Sequence, residues 1–165
     1  MNILKSHDMK VKIGITEAHL KNNISILSST LANQMTFYVK LRKFHWNVSG
    51  PSFMELHLLF EGQYKKLEMA IDETAERIGK LGGKTIGTLK EFADLTVIKE
   101  SPNEYPEQKD MLSELIADHE TLIIQLRKDV DISEDENKDA GTADFLTGLM
   151  LEHETMAWKL RRYLE

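Results

Sequence analysis

Cysteine is absent from the 165 residues, which excludes disulfides, thiolate metal ligands and a cysteine nucleophile together. Proline is scarce: three residues, at 51, 102 and 106, leave long segments free of the residue that most often breaks a helix. No apolar run approaches the roughly 18 residues that a membrane span needs. The N-terminus has scattered lysines but no apolar block or small-residue cleavage site, so no secretory signal is expected. These absences fit a cytoplasmic protein with no membrane partner. Hydrophobic residues at 41% and charged residues at 29% are the proportions of one folded domain, not of a disordered chain. A net charge of −6 argues against a nucleic-acid surface spread over the whole body.

What fills the segments between prolines is helical periodicity. Thr16 opens a first helix whose apolar stripe runs Leu20, Ile24, Leu27, Leu31, Met35 and Tyr38, in steps of three and four. Val48-Ser49-Gly50-Pro51 ends it. Ser52-Phe-Met-Glu55 then reads as a capping box for a second helix that runs to about Leu81, where Gly82-Gly83 stops it. Residues 84–105 form a connection too long to be bare, and Thr88-Leu-Lys-Glu91 caps a short helix within it. Pro106 is placed in the first turn of a third helix, with a stripe of Leu112, Leu115, His119, Leu122, Leu126 and Val130. An acidic turn, DISEDENKDAG, leads to a fourth helix carrying Leu146, Leu149, His153, Met156, Leu160 and Leu164. The expected fold is all-α: a four-helix bundle with a short helix in the long connection between helices 2 and 3. Residues 16–165 form that domain, and residues 1–15, which lack a stripe and carry Lys5, Lys10 and Lys12, are expected to be a flexible arm.

Most histidines here have ordinary explanations. His119 and His153 sit within apolar stripes and read as packed core residues. His7 and His19 have no acidic companion at a useful spacing. The second helix differs, because His57, Glu61, Asp72 and Glu76 fall within an arc of about 100° at 100° per residue. Imidazole with several carboxylates suits iron or another first-row divalent metal. The plain alternative is a solvated acidic face.

One chain cannot close such a site. The residues three before each histidine are Leu4, Thr16, Arg42, Met54, Ile116 and Met150, so the Glu-x-x-His motif of di-iron bundles is missing. Glu61 and Asp72 stand about 16 Å apart along a helix, too far for metal bonds of about 2 Å. The four positions are, however, symmetric about a point between Lys66 and Leu67. Two such helices, antiparallel across a two-fold axis, would set His57 and Glu61 of one copy against Glu76 and Asp72 of the other, twice per dimer. His45, just before the turn, would complete each half-site.

The segments FHWNVSGPSFMELHLLFEG, AIDETAERIGKLGGK and GTADFLTGLMLEHETMAWKLRRYL resemble the signature of the Dps family, the miniferritins known as DNA-binding proteins from starved cells. The resemblance spans about Leu20 to Leu164. It implies a ferritin-like subunit in a hollow homo-dodecamer built from two-fold dimers, with a two-iron ferroxidase centre at each dimer interface. By motif, His45, His57 and Glu61 come from one subunit, and Asp72 and Glu76 from its neighbour. Where this chain has Glu61 the family often has aspartate, so the longer side chain would ligate directly or through water. Trp46 matches a tryptophan that neighbours the centre; its plain reading is a packed aromatic, and Trp158 is read as core.

The implied activity is oxidation of Fe(II) to Fe(III), with hydrogen peroxide or dioxygen as oxidant, then storage of the ferric mineral and protection from oxidative stress. Of the acids Asp129, Asp131, Glu134, Asp135, Glu136, Asp139 and Asp144, the resemblance places Asp144 near the three-fold pore, and the rest read as a solvated turn. DNA is a second partner to weigh, and with it association with the bacterial nucleoid. In that alternative the chain is chiefly a DNA-compacting protein with secondary iron chemistry. Three arm lysines and an acidic shell count against it.

Overall fold

A computed structural model of the chain describes residues 11–165. The regular elements among the described residues are all helical: α1 (Glu17–Asn47), α2 (Phe53–Lys80), α3 (Leu89–Leu95), α4 (Gln108–Asp131) and α5 (Ala140–Arg161). The four long helices form two antiparallel hairpins, α1 on α2 and α4 on α5, which close on each other as a four-helix bundle. Helix α3 lies in the crossover between α2 and α4 and packs on α1. None of these helices is long and apolar enough to cross a membrane.

Much of each stripe is buried, but Ile24, Met35, Tyr38 and Val130 are only half-buried, and on α1 the core face runs on through Phe37, Leu41 and Phe44. One core cluster gathers Phe37, Leu41, Phe44, Phe60, Leu67 and Leu115, and a second gathers Leu27, Leu31, Ile78, Leu81, Leu126 and Leu146. Full burial of side chains such as Phe37 and Phe60 contributes about 1.5–3 kcal/mol each relative to exposure. Thr16 caps α1 by accepting the His19 amide. After α2, Gly82 takes φ +84°, its amide reaches Gly79 O at 2.9 Å, and the Gly83 amide reaches Ile78 O at 3.0 Å. That is a Schellman stop, and glycine is what the left-handed position favours. Thr88 and Glu91 form the expected capping box at α3.

Several expectations need correction. Ser52 precedes α2 but makes no side-chain cap, because the turn through Pro51 leaves it at φ −101°, ψ 30° instead of the extended N-cap conformation. Pro106 lies outside α4, whose N-cap is the extended Glu107. Leu164 lies beyond α5 and is exposed. Trp158 is not core: it is 51% exposed, on the side of α5 away from buried Met156, Ala157 and Leu160.

The acidic stretch is not simply a solvated turn either. Helix α4 runs on through a π-helical turn, Ile132–Glu136, and Lys138, at φ +54°, swings the chain into α5. Asp131, Glu134, Asp135 and Glu136 are exposed, but Asp129 and Asp139 are buried. Of the expected arm, residues 1–10, including Lys5, His7 and Lys10, lie outside the described residues. Ile15 packs against the second core cluster, while Lys12 is exposed.

Candidate metal centre

His45 belongs to the last turn of α1, where backbone carbonyls have no partner within the helix. Gly50, at φ +107°, lets the chain turn back at once, so that His57 in the second turn of α2 faces His45. The two rings stack with centroids 3.8 Å apart and planes 20° apart. His45 Nδ1 lies 2.8 Å from His57 O, and His57 Nδ1 lies 2.9 Å from His45 O. A carbonyl can only accept, so both Nδ1 atoms carry the proton. In neutral rings both Nε2 atoms then hold a free lone pair, the tautomer a divalent metal requires.

Glu61 stands one turn beyond His57 and is paired with Lys65. The Lys65 hydrogen bond and charge, with smaller contributions from His45 and His57, hold its carboxyl below the ordinary range. Asp72 and Glu76 lie exposed further along the same unbroken helix, and Glu76 meets Lys80 at 3.3 Å. His45, His57 and Glu61 are thus neighbours, whereas Asp72 and Glu76 are not brought to them within one chain. Among the described residues of a single chain, no three metal-capable side chains form a group that could hold an ion.

Aromatic residues flank the histidine pair. The Tyr64 ring meets His45 edge-on at 5.2 Å. Arg42 lies over three rings, Tyr64 at 4.5 Å, Tyr38 at 5.2 Å and Trp46 at 5.8 Å. Trp46 is 67% exposed, so within one chain it is not a packed aromatic. From the sequence, Arg42 was noted only for not being glutamate three residues before His45, and Tyr64, seven after His57, was passed over, although both are helical spacings.

His119 and His153 are interior, as expected. Gln63 donates to Met156 O at 3.2 Å, which orients its amide so that Oε1 accepts from His119 Nε2–H at 3.2 Å. His119 Nδ1 must then accept from His153 Nδ1–H, at 2.9 Å. Burial pushes both imidazoles down, His119 well below the ordinary value and His153 to about 4. They are neutral structural groups. Asp144 is exposed on α5 and lines a groove of about 490 Å³ between α2 and α5, together with Lys66, Glu73 and Glu152.

The model of the ferritin-like domain family matches residues 24–165. The DNA protection during starvation protein 2 of Bacillus anthracis is 37% identical over 118 residues, covering 71% of this chain and 80% of that one. This chain belongs to the Dps family. Another relative, an uncharacterized low temperature-induced protein of Nostoc sp., is 46% identical over 156 residues, 94% of this chain and 87% of its own. Among solved structures, a Dps protein of Vibrio cholerae superposes with a TM-score of 0.87 at 28% identity, covering 95% of this chain and 98% of that one. It is described as one of the ferritin-like diiron-carboxylate proteins. The bundle with its crossover helix is therefore the Dps subunit fold.

Proposed function

We propose that this Dps-family chain oxidises Fe(II) to Fe(III) at centres shared between two copies, and stores the ferric product inside a dodecameric shell. The observation that carries this reading is the reciprocal His45–His57 pair, which leaves two Nε2 lone pairs in metal-binding form beside an ionised Glu61. Three ligands on one copy are half a di-iron site. Asp72 and Glu76 of a second copy supply the carboxylates that the first cannot bring.

The sequence of α2 supports the antiparallel pairing. With the two-fold axis between Lys66 and Leu67, Lys65 falls opposite Glu68 of the other copy, and exposed Leu58 falls opposite Ala75. Opposite charges and apolar side chains thus meet in the register that also aligns the proposed ligands. Hard carboxylates favour the ferric product, and imidazole retains affinity for Fe(II). Two Fe(II) ions held together give up one electron each, which is what reduction of one hydrogen peroxide to two waters consumes, with two protons. Such a step releases no hydroxyl radical. Protecting DNA in this way needs no contact with the duplex.

Glu61 holds iron directly or through water, and Trp46 stands at the rim of the centre. Asp144 is the proposed pore residue, drawing cations by negative potential. Complementation tests the sharing. His57→Ala and Asp72→Ala chains should each be inactive as homodimers. A reassembled mixture should recover about a quarter of wild-type iron oxidation, since half the random dimers are mixed and each holds one intact centre. No recovery in mixtures shown to contain mixed dimers would overturn the proposal.

A further inference from the structure

Next to the proposed ligand Glu76 stands Arg77, whose side chain leaves a different face of α2. At 100° per residue, Arg77 is turned about 100° from Glu76 and about 140° from Asp72 around the α2 axis. Its guanidinium reaches the N-terminus of α5: Nη2 lies 3.1 Å from Oδ1 of the N-cap residue Asp139 and 2.9 Å from Thr142 Oγ1, and Nε lies 3.1 Å from the same hydroxyl. Asp139 is buried and held in turn by the Thr142 amide at 3.0 Å and by Asn23 of α1 at 3.0 Å. Asn23 also accepts from Asn137 at 2.6 Å and from Ser133 at 3.1 Å. The anchor of Arg77 is thus tied to α1, the π-turn and α5 at once.

Gly141 leaves the end of the guanidinium its room. A Cβ at that position would lie 2.9 Å from Arg77 Nη2. We infer that Arg77 is a positioning residue: its forked contact with Asp139 and Thr142 fixes the rotation of the last turns of α2, and with it where Asp72 and Glu76 are offered to the partner copy. Charge-assisted, geometrically directed bonds suit this task, and a lysine, as a point charge, would not reproduce the fork. The inference rests on the shared-centre reading proposed above.

The test is Co(II) binding to the assembled protein, followed by its visible absorption, beside thermal melting. Arg77→Lys should assemble and bind Co(II) about tenfold more weakly, the lower end of what loss of a group supporting a metal ligand costs. Gly141→Ala, which removes no bond and only displaces the guanidinium, should weaken binding less, with an altered Co(II) spectrum. A purely structural Arg77 would lower the melting temperature and leave Co(II) affinity and spectrum alone. If Arg77→Lys does not assemble, Gly141→Ala decides, and a wild-type Co(II) spectrum and affinity in it overturn the inference. Asp72→Asn separates the two ideas. Unchanged Co(II) binding in Asp72→Asn sinks the shared centre itself, whereas loss there with wild-type binding in both Arg77→Lys and Gly141→Ala sinks only the role of Arg77.

Discussion

The imidazoles of His45 and His57 each donate Nδ1–H to the other residue's backbone carbonyl, so the two rings hold one another across the turn between α1 and α2. The amide nitrogen of asparagine can occupy the place of Nδ1, and that of glutamine the place of Nε2. His45→Asn should therefore keep the hydrogen bond, hold stability to within about 1 kcal/mol, and slow iron oxidation at least tenfold. Stopped-flow oxidation with thermal melting checks this. Wild-type rates in His45→Asn would remove His45 from the ligand set.

Leu58 is 58% exposed in the single chain, where a surface substitution ordinarily changes stability by no more than about 0.5 kcal/mol. In the antiparallel dimer it would be covered. Leu58→Glu should leave a folded subunit that sediments as a monomer and no longer oxidises iron. A monomer that retained the activity would refute a centre shared across the two-fold axis.

Burial lowers His153 to about 4, so between roughly pH 6.5 and 4 the unfolded chain binds a proton that the folded chain refuses. The sign follows directly: stability is full above about pH 6.5 and falls as the pH drops, by on the order of 3 kcal/mol for this residue. Asp118 and Asp129, pushed up by burial, act in the opposite sense. Melting temperatures should decline over that window in the wild type and decline less in His153→Gln. Parallel curves for the two proteins would exclude His153 as the source.

Asp144 lies on α5 beside the α2–α5 groove, whose lining on α2 runs from Lys66 to Glu73 and includes neither His45 nor His57. Asp144→Asn should slow growth of the ferric mineral severalfold while leaving Co(II) affinity at the histidine site unchanged. Equal mineral growth in variant and wild type would remove the pore role.

The bundle was legible because its signals are local. Apolar steps of three and four mark the buried faces, and Gly82-Gly83 and Thr88–Glu91 mark the ends of elements with side chains and backbone close in sequence. Ser52 shows the limit of such signals. It carries the same capping pattern as Thr88, yet the preceding turn denies it the required backbone conformation. Asp139 could not be read as buried from its neighbours, because its partners Arg77 and Asn23 lie 62 and 116 residues away. Trp158 reads as core in the sequence, but Met156, Ala157 and Leu160 set the buried face of α5 and it falls outside that face. Of the candidate site, the spacing of His57, Glu61, Asp72 and Glu76 was visible as a symmetric pattern. The orientation of the imidazoles was not, since it depends on carbonyls brought together by the fold.

The lysines beside the proposed carboxylate ligands have a consequence for the life of a newly made chain. Lys65 holds Glu61 and Lys80 holds Glu76, each through an exposed ion pair one helical turn long. Such exposed pairs are weak, so the two carboxylates are screened by lysine yet open to displacement by Fe(II). With the ligands divided between two copies as proposed, a lone subunit would be inert toward iron, and the redox chemistry would start only after two copies have met. Synthesis can then outpace assembly without leaving loose subunits that cycle iron in the open.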